Sequence, residues 1–185
     1  MKKLLLVATM IIAGLLSACN QLTQYTITEQ EINQALAKRA PFSKDVGLQG
    51  VADAHLVLTN LQSQIGREEP NKITLTGDAS LKLTSIFGDQ NASLKLTLKA
   101  TPFFDADKGA IYLHDLDITN ATVAPEKMQS LLQTLMPYLS QSLRGYFNEN
   151  PAYVLSEDRS TGEKVAKKFA KGIEVKPGVL VIPLL

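Results

Sequence analysis

Few residues in this chain have types and spacings that suit chemistry. The two histidines, His55 and His114, have no partners at metal-ligand spacing. Each falls at a strand position of polar parity or at a change of strand phase, which makes them surface or strand-end imidazoles. Asp105, Asp107 and Gly109 echo part of a calcium loop, but the remaining ligands and the distal glutamate do not follow. A turn is the expectation there. Glu68-Glu69 and the pair Asp115 and Asp117 have the look of carboxylate pairs for glycoside hydrolysis. Nothing apolar surrounds either pair to raise one pKa and make it an acid, so both are expected in water. No Gly-x-Ser-x-Gly, phosphate loop or dinucleotide fingerprint is present, so no cofactor is expected. With no triad, metal cluster or buried acid pair to propose, no enzyme is expected either.

The one residue with a sharp chemical context is Cys19, the sole cysteine. Residues 1–18 begin Met1-Lys2-Lys3, run apolar from Leu4 to Leu16 and end in the small residues Ser17 and Ala18, the pattern of a secretory signal peptide. The apolar run spans about 20 Å as a helix, short of the ~30 Å hydrocarbon core, so it is not a membrane-spanning anchor. Leu16-Ser17-Ala18-Cys19 resembles the lipobox of bacterial lipoproteins, in which the cysteine takes diacylglycerol and palmitate chains and becomes the new first residue. A lone thiol exported to an oxidising compartment would otherwise be an unpaired liability. The resemblance implies anchoring to a membrane through acyl chains, each buried CH₂ contributing about 0.8 kcal/mol. Asn20 follows, where aspartate would favour inner-membrane retention, so the same resemblance implies the periplasmic face of the outer membrane.

Composition narrows the class further. The 185 residues carry 19 Lys and Arg against 18 Asp and Glu, and 45% are apolar. Loss of Lys2 and Lys3 with the leader leaves 17 cationic residues against the same 18 acids. There is no cationic surplus to neutralise phosphates, so nucleic acid is not an expected partner. The layout reads as a signal peptide at 1–18, an acylated cysteine and tether at 19–27, and a single domain at 28–185.

Periodicity supplies the elements. Thr28 and Glu31 form a capping box for a first helix at about 28–40. From 72 to 84 the odd positions Ile73, Leu75, Ala79, Leu81 and Leu83 are apolar; from 91 to 100 the even positions Ala92, Leu94, Leu96, Leu98 and Ala100 are. Gly88-Asp89-Gln90 is expected to turn one strand into the other. The flanking segments, near Ala52 to Ile65 and Ile111 to Ile118, each change phase once without a turn, the mark of a β-bulge. These features predict a strongly curved sheet of four long strands in meander order. Pro125 opens a long helix over 125–147, with Pro137 expected to kink or break it. A third helix at 161–171 is expected to carry Val165 and Phe169 inward and Lys164, Lys167, Lys168 and Lys171 outward, a basic face that could rest on anionic headgroups. A short C-terminal strand or hairpin closes an α+β domain. Ile86 and Phe87, at the hairpin tip, are the most exposed-looking apolar pair.

Width then poses a problem. Four strands cover about 19 Å, whereas one helix with its side chains covers about 10–12 Å. The sheet must curl, the short helices must cover the remainder, or an apolar ligand must.

The segments Cys19 to Asn33, Ser63 to Lys72 and Lys171 to Gly178 resemble the YceB-type lipoproteins of enteric bacteria, a likeness that covers the whole chain. The associated fold is similar to the tubular lipid-binding superfamily, in which a long curved antiparallel sheet wraps a helix and leaves an apolar groove. The resemblance implies a lipid or other hydrophobic ligand held between sheet and helix. Candidate wall residues are Leu56, Leu58, Leu75, Leu81, Leu83, Leu94, Leu96, Leu98, Met128, Leu132, Leu135, Met136 and Leu139. The competing expectation is an accessory lipoprotein with a filled core that docks on an envelope protein complex, through Ile86, Phe87 and the basic third helix.

Overall fold

A computed structural model describes residues 23–38, 42–48, 52–85 and 88–184. The signal peptide, Cys19, and the pair Ile86 and Phe87 lie outside those residues. The order is β1 (Gln24–Thr28), α1 (Glu29–Ala37), β2 (Phe42–Leu48), β3 (Ala52–Ile65), β4 (Ile73–Ser85), β5 (Gly88–Asp105), β6 (Ala110–Ala124), α2 (Gln129–Glu149), β7 (Tyr153–Val154), α3 (Thr161–Phe169), β8 (Glu174–Lys176) and β9 (Val179–Pro183). Strands β2 to β7 form one antiparallel sheet in sequence order, and β1-β9-β8 form a second.

The expected four-strand meander is present as β3 to β6. Register places Leu75 opposite Leu98, Ala79 opposite Leu94 and Leu81 opposite Ala92, so the apolar positions of both strands share one buried face. The turn comes earlier than expected, because Ser85 already pairs with Gly88. Side-chain alternation fades at Gly88-Asp89-Gln90, but the backbone ladder continues. Edge strands β2 and β7 were not foreseen for a related reason: they are short and carry little alternation of their own.

Both expected phase changes are bulges. In β3 the register shifts between Thr59 and Gln62, with Asn60 in the left-handed region at φ 53°. Gly77 lies opposite, where a Cβ would come within 2.9 Å of Leu61 Cδ2. Along β6 the register shifts twice, and Asp115 adopts φ 51°. The curved sheet brings both of its sides onto α2. On the β6 side, Arg144 Nε donates to the Leu116 carbonyl at 3.0 Å, and Ser140 Oγ donates to Asp117 Oδ1 at 3.0 Å. On the β2 side, the rings of Phe42 and Tyr146 meet edge-on with centroids 4.6 Å apart.

Helix α2 is preceded by a 3₁₀ turn at Glu126–Met128, so the α-helix itself starts four residues after Pro125 and ends two residues beyond the expected 147. Pro137 does not break it. The proline is solvent-exposed, while Leu132, Leu135, Leu139 and Leu143 bury the opposite side of both halves; this packing holds the helix together across the missing N–H. Helix α1 is shorter than expected, but its capping box forms: Thr28 Oγ1 accepts from Glu31 N at 3.2 Å, and Glu31 Oε2 accepts from Thr28 N at 2.7 Å. Gln24–Thr28, read mostly as tether, is a strand paired with β9, which accounts for the apolar C-terminus: Leu180, Val181, Ile182 and Leu184 are all buried.

Candidate functional site

A pocket of about 290 Å³ opens between the end of α1, the start of β2, the bulge of β3 and the last turns of α2. Its apolar wall comprises Leu36, Ala37, Phe42, Leu58, Leu61, Tyr146 and Phe147, and its rim is Thr59, Asn60 and Gln62. The bulge has a direct part in this. It adds one residue to β3 and turns Leu61 into a half-buried position beside the pocket. Three rings meet edge to face along the far wall: Phe42 against Tyr146, and Tyr146 at 5.2 Å and 89° to Phe147. The volume sits at the lower end of small-molecule sites, about 300–1,000 Å³.

The thirteen wall residues proposed from the sequence come together as part of one core. Twelve are buried, and Met136 is partly buried and packed against them. Only Leu58 reaches the pocket. The other wall residues are covered within this core, to which α2, the shorter helices and the second sheet all contribute. Phe42 escaped sequence reasoning: it follows Pro41 in a stretch with no period, and only its pairing with Leu58 and its ring contact with Tyr146 give it a place.

Two polar clusters were also missed. On the outer face of β2 and β3, Ser43 Oγ lies 3.2 Å from His55 Nε2, and His55 Nδ1 lies 2.6 Å from Asp45 Oδ1. This is the connectivity of a hydrolase triad, but Asp45 is 86% exposed and His55 47%. The aspartate of a working triad is buried, and its serine faces oxyanion donors in a site shielded from water. The cluster is a cross-strand polar pair with a serine beside it. His114 stacks on Phe103 with centroids 4.6 Å apart.

The second cluster centres on Glu163, which is fully buried. Its carboxylate accepts from Tyr153 Oη at 2.6 Å, Arg159 Nη1 at 2.7 Å, Ser156 N at 2.7 Å and Tyr25 Oη at 3.3 Å. Burial pushes Glu163 up, but hydrogen bonds from Tyr153, Ser156 and Arg159 outweigh it and hold the group below the usual carboxylate range. Tyr25 is pushed up to about 12, first by burial and then by the Glu163 charge. At the start of α3, Ser160 Oγ accepts from Glu163 N at 3.0 Å, while the glutamate side chain turns inward and leaves a capping box half formed. Phe169, expected inside, is 57% exposed, because the buried face of α3 is set by Glu163 and Ala166.

Glu68 and Glu69 are solvated as expected, near Lys99 at 3.9 and 3.3 Å. Asp105 accepts from Lys108 N at 3.0 Å within a turn. Among the described residues no group of three potential metal ligands converges, and no helix is long and apolar enough to cross a membrane.

Residues 27–179 match the family model described as a protein of unknown function, DUF1439. The chain belongs to the DUF1439 family. Two relatives named uncharacterized lipoprotein YceB are 69% identical, from Salmonella typhimurium strain LT2, and 68% identical, from Escherichia coli strain K12. Each match covers 99% of this chain and 98% of the relative. A crystal structure of a lipopolysaccharide binding protein aligns with 88% of this chain at 12% identity and a TM-score of 0.34. The chain spans 49% of that protein, about half its length, and a likeness of that size settles neither fold nor ligand. Every residue of the pocket lies inside the DUF1439 span, and Cys19 lies before it.

Proposed function

We propose that this protein is a lipoprotein held by acylated Cys19 on the periplasmic face of the outer membrane, and that it binds the apolar part of a lipid or similar ligand in the pocket beside Tyr146. The role is binding, not catalysis. The observation that carries the reading is the pocket itself: an opening of about 290 Å³ at the edge of the core, walled by Leu36, Phe42, Leu58, Leu61, Tyr146 and Phe147. An aromatic and aliphatic wall with a polar rim suits an acyl segment whose head stays in water. The lipoprotein names of the relatives and the Leu16-Ser17-Ala18-Cys19 motif support the anchor.

Native mass spectrometry of the protein purified without detergent tests this, with Ala37→Trp as the comparison. Ala37 is exposed on the helix end and lines the pocket, so the larger side chain should fill it without disturbing the core. A lipid-mass adduct on the wild type that is lost in a variant of unchanged melting temperature supports the pocket. An adduct retained by the variant removes it.

The filled concave face favours a second reading, an accessory lipoprotein that docks on an envelope protein complex. Ile86 and Phe87, its proposed contacts, lie outside the described residues. Crosslinking in intact cells that returns one stoichiometric protein partner would support it.

A further inference from the structure

Helix α3 sits where the anchor must bring it close to the bilayer. A Cβ on Gly162 would come within 3.1 Å of the Tyr25 ring, and Tyr25 Oη reaches Glu163, so the start of α3 touches β1 directly. Cys19 lies six residues before Tyr25, which limits their Cα separation to about 21 Å at full extension. The helix is nine residues, or about 14 Å, long. An acylated Cys19 therefore leaves the membrane surface within a short reach of α3.

The outward face of α3 has the make-up of an interfacial helix. Lys164 and Lys168 on α3, and Lys171 two residues past its end, are exposed and make no ion pair among the described residues, while Lys167 pairs with Glu157 at 3.7 Å. Phe169 lies beside these lysines round the helix, while Val165, one turn earlier, is half-buried against the core. Phe169, 57% exposed, is the most exposed large apolar side chain among the described residues. In a chain of nearly balanced charge this concentrates cations and one aromatic ring on one short helix and the residues just after it. Cations meet anionic headgroups within a Debye length of about 8 Å, and an exposed aromatic beside them enters the headgroup boundary.

We infer that α3 docks on an anionic lipid surface, with Phe169 inserted at the headgroup level and Lys164, Lys168 and Lys171 on the phosphates, so that the anchored domain is held in one orientation. The inference rests on the Cys19 anchor of the proposed function.

The chain has no tryptophan, so Phe169→Trp introduces a single emission reporter. The lipidated full chain carrying it is reconstituted in vesicles of phosphatidylethanolamine and phosphatidylglycerol, with brominated acyl chains as quencher. Tyr138→Trp, on the exposed side of α2, is the comparison. The expected result is a blue shift and loss of most emission for Phe169→Trp, little change for Tyr138→Trp, and recovery of emission when Lys164→Glu, Lys168→Glu and Lys171→Glu are added together. A vesicle-floated protein whose Phe169→Trp emission is unquenched, or quenched no more than Tyr138→Trp, overturns the docking while leaving the anchor standing. A chain that does not float overturns both.

Discussion

The ring of Phe42, at the start of β2, meets the ring of Tyr146 on α2 edge-on at 4.6 Å, so the first strand of the main sheet closes against the helix that the later strands enclose. That contact also forms one wall of the pocket, which ties the closure of the fold to whatever the pocket holds.

Removing it should be costly. Phe42 is 4% exposed, and Phe42→Ala is expected to destabilise the protein by about 3 kcal/mol through lost transfer energy and the cavity left behind. Denaturant titration measures the loss, and a change under about 1 kcal/mol would show that β2 is not fastened through this ring.

Leu96 separates a filled core from an open groove. It is 2% exposed and stands opposite Gly77 on β4 and Ala121 on β6. Leu96→Asp is expected to prevent folding, since it buries a charge with no partner. A soluble variant with native circular dichroism would mean that this part of the sheet faces solvent or ligand.

Glu163 is surrounded by donors, so even the isosteric Glu163→Gln turns an amide N–H₂ toward groups that need an acceptor. A loss of about 2–3 kcal/mol in chemical unfolding is expected. A neutral substitution would show that the four donors find other partners.

The same cluster sets the pH limits. Glu163 lies below its ordinary range when folded, so its contribution is present above about pH 4.5 and is lost as pH falls through the lower folded value. Tyr25 has the opposite sign: raised to about 12, it stabilises fully below pH 10, and the contribution is lost as pH climbs from 10 toward 12. Melting temperatures against pH should show the alkaline decline shrink in Tyr25→Phe, and an identical decline in both proteins would remove Tyr25 as its source.

Ser43 should not behave as a nucleophile. With Asp45 and His55 open to water, a fluorophosphonate probe is expected to leave Ser43 unlabelled at concentrations that saturate a serine hydrolase. Labelling that disappears in His55→Ala would establish a catalytic site on the outer sheet face.

What the chain by itself determined is mostly local. The two-residue alternation of β4 and β5 placed Leu75, Leu81, Leu94, Leu96 and Leu98 inside, the phase changes located the bulges, and Thr28 with Glu31 announced the first helix. Each depends on neighbours in sequence. Tertiary structure decided the rest. Whether the apolar face stayed open depended on how far the register shifts in β3 and β6 curled the sheet, and the pocket beside Phe42 exists only because α1, β2, β3 and α2 converge there. Glu163 stands three residues after Ser160 at the start of a helix, yet its carboxylate is claimed by Tyr25 and Tyr153, 138 and 10 positions away, in a dry site. Burial of a charge is a property of its surroundings in space, and the three-residue spacing from Ser160 carries no record of them.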